Sequence, residues 1–154
     1  MGSCNILGVF SSGGGGATAV TPNFIVGALI INPSYTTNAI RYAGLFTETY
    51  ATASASTTES QVQAPIHFAW QLNRVFVNVL INDKNANSLI GIRDDGSTAG
   101  SVTITASTTG EFDSGALEVD VASGSDVNWI VDTNSSSSGE LGAIRTSLAY
   151  GQST

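Results

Sequence analysis

The chain has 154 residues, 42% hydrophobic and 11% charged, with 5 basic residues against 12 acidic ones and a formal charge of −7. That length fits one domain with a full core, and the hydrophobic share excludes a disordered tail. The basic residues Arg41, Arg74, Lys84, Arg93 and Arg145 are scattered, so no basic stripe exists to neutralise phosphates or to meet an anionic lipid surface. Nucleic acid and membrane are both argued against as partners.

Residues 1–18 read as an arm, ahead of one domain over residues 19–154. Ser11-Ser12-Gly13-Gly14-Gly15-Gly16 is a flexible tether. Before it lies an apolar patch, Ile6, Leu7, Val9 and Phe10. Those four residues are the candidate arm contacts to a partner's sheet edge or groove; a disordered leader is the plainer alternative. The start has no basic region, and Ile6 to Phe10 is too short for a signal peptide. Synthesis in a cytoplasm without a signal peptide is therefore expected. Ile6 also stands where a myristoylation motif wants Ser or Thr, and no run is long enough to span a membrane as a helix. Cys4 is the only cysteine, which leaves no internal disulfide and no zinc site.

Phe24 to Ile31 is the first strand candidate, closed by the turn Asn32-Pro33-Ser34. Ile40 to Phe46 is the second. Thr47 to Thr58, rich in Thr, Ser and Ala, reads as a long surface connection with short extended pieces. Glu59 to Ala64 reads as a short edge strand closed by Pro65.

Trp70 to Asp83 is the longest nearly uninterrupted apolar run, and the rest of the domain is read around it. Side chains alternate across a strand. Val75, Val77, Val79 and Ile81 therefore form a core face, and Leu72, Arg74, Phe76, Asn78 and Leu80 the opposite one. The opposite face is half apolar, where a lone antiparallel sandwich would carry polar residues. Leu72, Phe76 and Leu80 are accordingly the candidate contacts with a neighbouring subunit.

Beyond it, Asp83 to Asn87 is a turn-rich loop and Leu89 to Arg93 a strand. Asp94-Asp95-Gly96-Ser97 is a strong hairpin signal. Val102, Ile104 and Ala106 alternate with Thr103 and Thr105, and Thr108-Thr109-Gly110 turns the chain. Leu117, Val119 and Val121 alternate with Glu118 and Asp120. Val127 to Thr133 is a strand carrying Trp129, Asn134 to Gly139 a polar loop, and Leu141 to Tyr150 the last strand. Short strands with turn signals every 8–12 residues or so indicate an all-β antiparallel sandwich or barrel.

No constellation carries chemistry. His67 is the only histidine, and the sequence supplies no partner for acid–base work. No nucleophile elbow and no Cys–His pair is present. Asp83, Asn85 and Asn87 fit the opening of a calcium loop, but Ser88 occupies the glycine position and Asp94 the place of a bidentate Glu. A looser calcium site at Asp83 or Asp94-Asp95 stays open, beside the plain reading of a solvated turn. Asn134-Ser135-Ser136 is a sequon without a secretory context. No catalytic residue, metal or cofactor is expected.

Residues from about Gln71 to Tyr150 carry a pattern in a fixed order. It runs Leu72-Asn73-Arg74-Val75-Phe76-Val77, then Ile92-Arg93-Asp94-Asp95-Gly96, the stretch Ser101 to Ile104, Thr108 to Phe112, Val119 to Trp129, and the loop Ser138-Gly139. This resembles the tumour-necrosis-factor-like and complement-globular-head-like jelly rolls of phage structural proteins. It departs where Ser125 precedes Asp126, since the family usually runs Gly-Asp directly. The resemblance implies a jelly roll and a homotrimer built by packing flat sheet faces around a three-fold axis. It implies a non-enzymatic role on a virion, as a bacteriophage capsid decoration (cement) protein bridging capsid subunits. The partners would be the major capsid protein or neighbouring virion subunits. The alternatives are a head- or tail-fibre tip that binds a cell-surface receptor or glycan, and a filament subunit joined through its arm.

Overall fold

The computed structural model describes residues 24–31, 38–45, 47–49 and 55–151, with only the backbone of 24–31 and 47–49. The arm, residues 1–18, and its contacts Ile6, Leu7, Val9 and Phe10 lie outside the described residues. The strands in chain order are β1 (Phe24–Ile31), β2 (Ile40–Gly44), β3 (Thr47–Thr49), β4 (Ala64–Pro65), β5 (Trp70–Asn82) and β6 (Ser88–Asp94). They continue as β7 (Ser97–Ile104), β8 (Gly110–Asp113), β9 (Val119–Val121), β10 (Asp126–Asp132) and β11 (Leu141–Gly151).

Two sheets face each other. The first runs β3-β1-β11-β5-β8, with β9 also on β5; the second runs β2-β10-β6-β7, with β4 on β10. Every pairing is antiparallel except β1 with β3. The protein is thus an all-β antiparallel sandwich. The chain keeps changing sheet: β1 and β2, β5 and β6, β7 and β8, and β10 and β11 each lie in different layers.

The alternation of β5 fills the space between the layers. Val75, Val77 and Val79 are at most 1% exposed and pack with Ile90, Ile92, Ile104, Trp129 and Ile144. Fully burying such a side chain contributes about 1.5–3 kcal/mol. Trp129 is the largest wholly buried residue, and its indole Nε1 donates to the Leu45 carbonyl at 3.2 Å. That bond lets the amphipathic ring sit inside without stranding its donor.

The hairpin of β6 and β7 turns where the sequence places it. Asp95 and Gly96 both have positive φ, 47° and 77°, the backbone of a two-residue turn whose twist matches the strands. Strands β2, β10 and β11 also fall within a residue or two of their expected bounds.

Three expectations need correction. First, Leu72 lies inside the sandwich, wholly buried against the core, and not on the outward face. Leu72 pairs with Tyr150 and Arg74 with Ala149, so the register with β11 steps over Asn73, an extra residue in β5. Such a bulge slips the alternation by one, and Leu72 and Val75 point the same way. Ile81, expected inside, is 37% exposed near the strand's end. Second, Glu59 to Ala64 is not an edge strand. Glu59–Gln61 is a 3₁₀ turn in which Val62 N donates to Glu59 O, and only Ala64–Pro65 pairs, with β10. Third, the run after Thr108-Thr109 is not simply a turn: Gly110–Asp113 is a strand on β5, while only Val119–Val121 of the Leu117 to Val121 stretch is paired.

Candidate binding face and loop end

The outward face of the first sheet is built from residues that alternate with the core. On β11, Ile144, Thr146 and Leu148 are buried, so Arg145 and Ser147 point away. On β5, Phe76 and Asn78 do the same between the buried valines. On β8, Glu111 and Asp113 flank Phe112, which packs on the core. The register sets these side chains in two rows. Ser147, Phe76 and Asp113 lie side by side, and Arg145, Asn78 and Glu111 form the next row. Together they line an open groove of about 600 Å³, a size common for ligand and partner sites.

The groove has an apolar floor and a rim of both signs. Phe76 is half-buried, and Leu80, further along β5, is 54% exposed. Arg74 Nη1 meets Asp113 Oδ2 at 3.0 Å. Asn78 Oδ1 is buried and has no hydrogen-bond partner among the described residues. A buried acceptor without a donor costs about 1–3 kcal/mol, and a partner's donor would remove that cost.

The outward face of the second sheet is different. Ile90 and Ile92 point inward, so Arg93 points out, and the 3₁₀ turn brings Glu59 onto it. Arg93 Nε meets Glu59 Oε1 at 2.8 Å and Nη2 meets Oε2 at 3.1 Å, a two-pronged pair. Arg93 also donates to the Gly96 carbonyl and lies 5.9 Å from the Tyr42 ring centroid. The Glu59 hydrogen bond, outweighing burial, raises the guanidinium's pKa above its ordinary value.

One end of the sandwich is a knot of amides and hydroxyls. Asn85 Oδ1 accepts from Ser136 Oγ at 2.7 Å and Ser137 N at 2.9 Å. Asn87 Oδ1 accepts from Ala106 N at 3.0 Å, and Asn82 Nδ2 donates to the carbonyls of Thr105 and Thr108. Asn85 and Asn87, two of the residues that suggested a calcium loop, thus have their side-chain oxygens engaged in tying loops together. Asp83 is exposed, and Asp95 accepts from Asp126 N at 2.8 Å. Among the described residues no group of three metal-ligating side chains gathers. His67 is exposed. In the sequon Asn134 is exposed, while the Ser136 hydroxyl is buried in the loop network.

The structure keeps Phe76 and Leu80 of the three expected interface residues on one outward face and removes Leu72. Sequence reasoning missed Glu111 and Asp113, although Glu-Phe-Asp is itself a polar–apolar–polar alternation. It also missed the Arg93–Glu59 pair, whose partners lie 34 residues apart and leave no local signal. Compared with models of known families and with curated proteins, the chain matches none.

Proposed function

We propose that the protein is a non-enzymatic virion subunit, a homotrimeric capsid decoration protein whose protomers meet through the outward face of the first sheet. The observation that carries this reading is the contrast on β5. Leu80 is 54% exposed and Phe76 half-buried on a face that the described chain leaves open. Around a three-fold axis that face would bury Phe76 and Leu80, offer donors to Asn78 Oδ1, and set Arg145 against Glu111. The interleaved strand order β1-β11-β5-β8 over β2-β10-β6-β7 supports reading the sandwich as a jelly roll.

The mechanism is physical. A rigid trimer seated across a junction of the major capsid protein binds several subunits at once, and linkage raises the effective affinity. Because it binds only the assembled shell, it stabilises that state by mass action. The arm would serve as the tether, through Ile6, Leu7, Val9 and Phe10, and the site of action would be the capsid surface.

The test is the native mass of the full-length protein and of a chain beginning at Ala19. Trimers in both would support a sandwich-built trimer with a free arm. Monomers in both would sink this account of Phe76 and Leu80. Long chains formed only at full length would favour the filament subunit. The fibre-tip reading draws on the locked loop end at residues 82–88, 105–108 and 133–138, a pre-set polar surface. Its mark would be a few copies per virion, where a cement protein covers the shell.

A further inference from the structure

Lys84 is wholly buried, yet it forms no ion pair among the described residues. Its ammonium nitrogen lies 3.0 Å from the side-chain oxygen of Asn38, 46 residues away in sequence. A bare charge is costly to bury, and the main chain that carries this one is itself fixed. Lys84 N donates to Asn82 Oδ1 at 3.2 Å, and its carbonyl accepts from Ser107 N at 3.1 Å and Ser107 Oγ at 3.2 Å. Gly139 presses so close that a Cβ there would lie 2.8 Å from Lys84 N. On the other side, Ala39 is clamped to Thr133 through both its N–H and its carbonyl. Amine and amide are therefore held together by two independently fixed backbones.

We propose that Lys84 and Asn38 join as an amide cross-link between side chains, tying the approach to β2 in one sheet to the end of β5 in the other. Neutral Nζ adds its electron pair to Asn38 Cγ. The Cγ–Nδ2 bond then breaks, and ammonia leaves with the proton that Nζ gives up. Asn38 is exposed, so water can carry that proton to the departing nitrogen. No oxidant, reductant or added reactant enters. Burial raises the share of the uncharged amine, the reactive form, because it lowers the Lys84 pKa. Fixed proximity supplies the rest, by making the encounter intramolecular. The link would give a chain with a single cysteine the staple that disulfides give other domains.

The test is the intact mass of the full chain, fresh and after prolonged incubation, followed by trypsin digestion. The expected mass is below the sequence mass by one ammonia. Cleavage after Lys84 should be blocked, and a branched peptide should join the segment ending at Arg41 to the segment 75–93. K84R should keep the full sequence mass, and so should N38A. The linked protein should melt about 10 °C above either variant, as closure of a long loop predicts. A native protein of full sequence mass in both samples, cleaved normally after Lys84, overturns the proposal. So does loss of ammonia with normal cleavage, which marks a cyclic imide at an asparagine.

Discussion

The two outward faces of the sandwich are built alike and finished differently. On the second sheet the chain supplies its own cover. The segment before β4 brings Glu59 over Arg93, and Asn128 and Ile130 of β10 are 0% and 5% exposed although they point away from the core. On the first sheet Phe76 lines an open groove and Leu80 stands out. A sheet needs both faces occupied before its strands can be apolar throughout. β10 meets that condition within the chain, whereas β5 meets it over only part of its length. The difference marks the outward face of β5 as the less covered of the two among the described residues.

Substitutions can break or sharpen this contrast. The largest effect is expected from L72A, which empties a wholly buried site beside Gly100 and Leu117. It should cost about 3 kcal/mol, seen as a lower urea midpoint; a cost near zero would return Leu72 to the surface. Next comes R93A, which strands Glu59 on the covered face. The pair's side chains are only 17% and 18% exposed, so solvent screens them little. A loss of about 2 kcal/mol is expected, and E59A combined with it should add little. L80S should change the protomer's own stability by no more than about 0.5 kcal/mol while lowering the native mass in solution. Unchanged mass would count against the open face as an assembly surface. The smallest effect is expected from R74A. Its pair with Asp113 is 45% and 43% exposed, so a double-mutant cycle should give a coupling of about 0.5 kcal/mol or less.

Local pattern carried much of the architecture and little of the cover. The run from Trp70 shows as β5 because period-two alternation and strand length both speak for it. Asp94-Asp95-Gly96-Ser97 shows as a hairpin because only a few residue types accept positive φ. What pattern could not show was the slip at Asn73. A polar residue beside Arg74 in an otherwise apolar run looks like ordinary alternation, and the extra residue is visible only against β11. That one slip moved Leu72 from the surface to the core. Glu59 misled for a related reason. Its stretch is extended in propensity, but a carboxylate that reaches Arg93 holds the chain in a tight turn. The groove acids Glu111 and Asp113 were hidden because Gly110 reads as a turn glycine while serving as the first residue of β8.

The repeated change of sheet has a kinetic consequence. Among the described strands, only β6 and β7 are both consecutive in sequence and paired. β5 must wait for β11, and β10 must find both β2 and β6. Such non-local pairing places folding in the millisecond-to-second range typical of sandwiches, with the β6–β7 hairpin as its local starting point. Until β11 arrives, the long edge of β5 stays open to β5 of another newly made chain. Synthesis rate and concentration in the cell, more than final stability, would then govern the yield of soluble protomer.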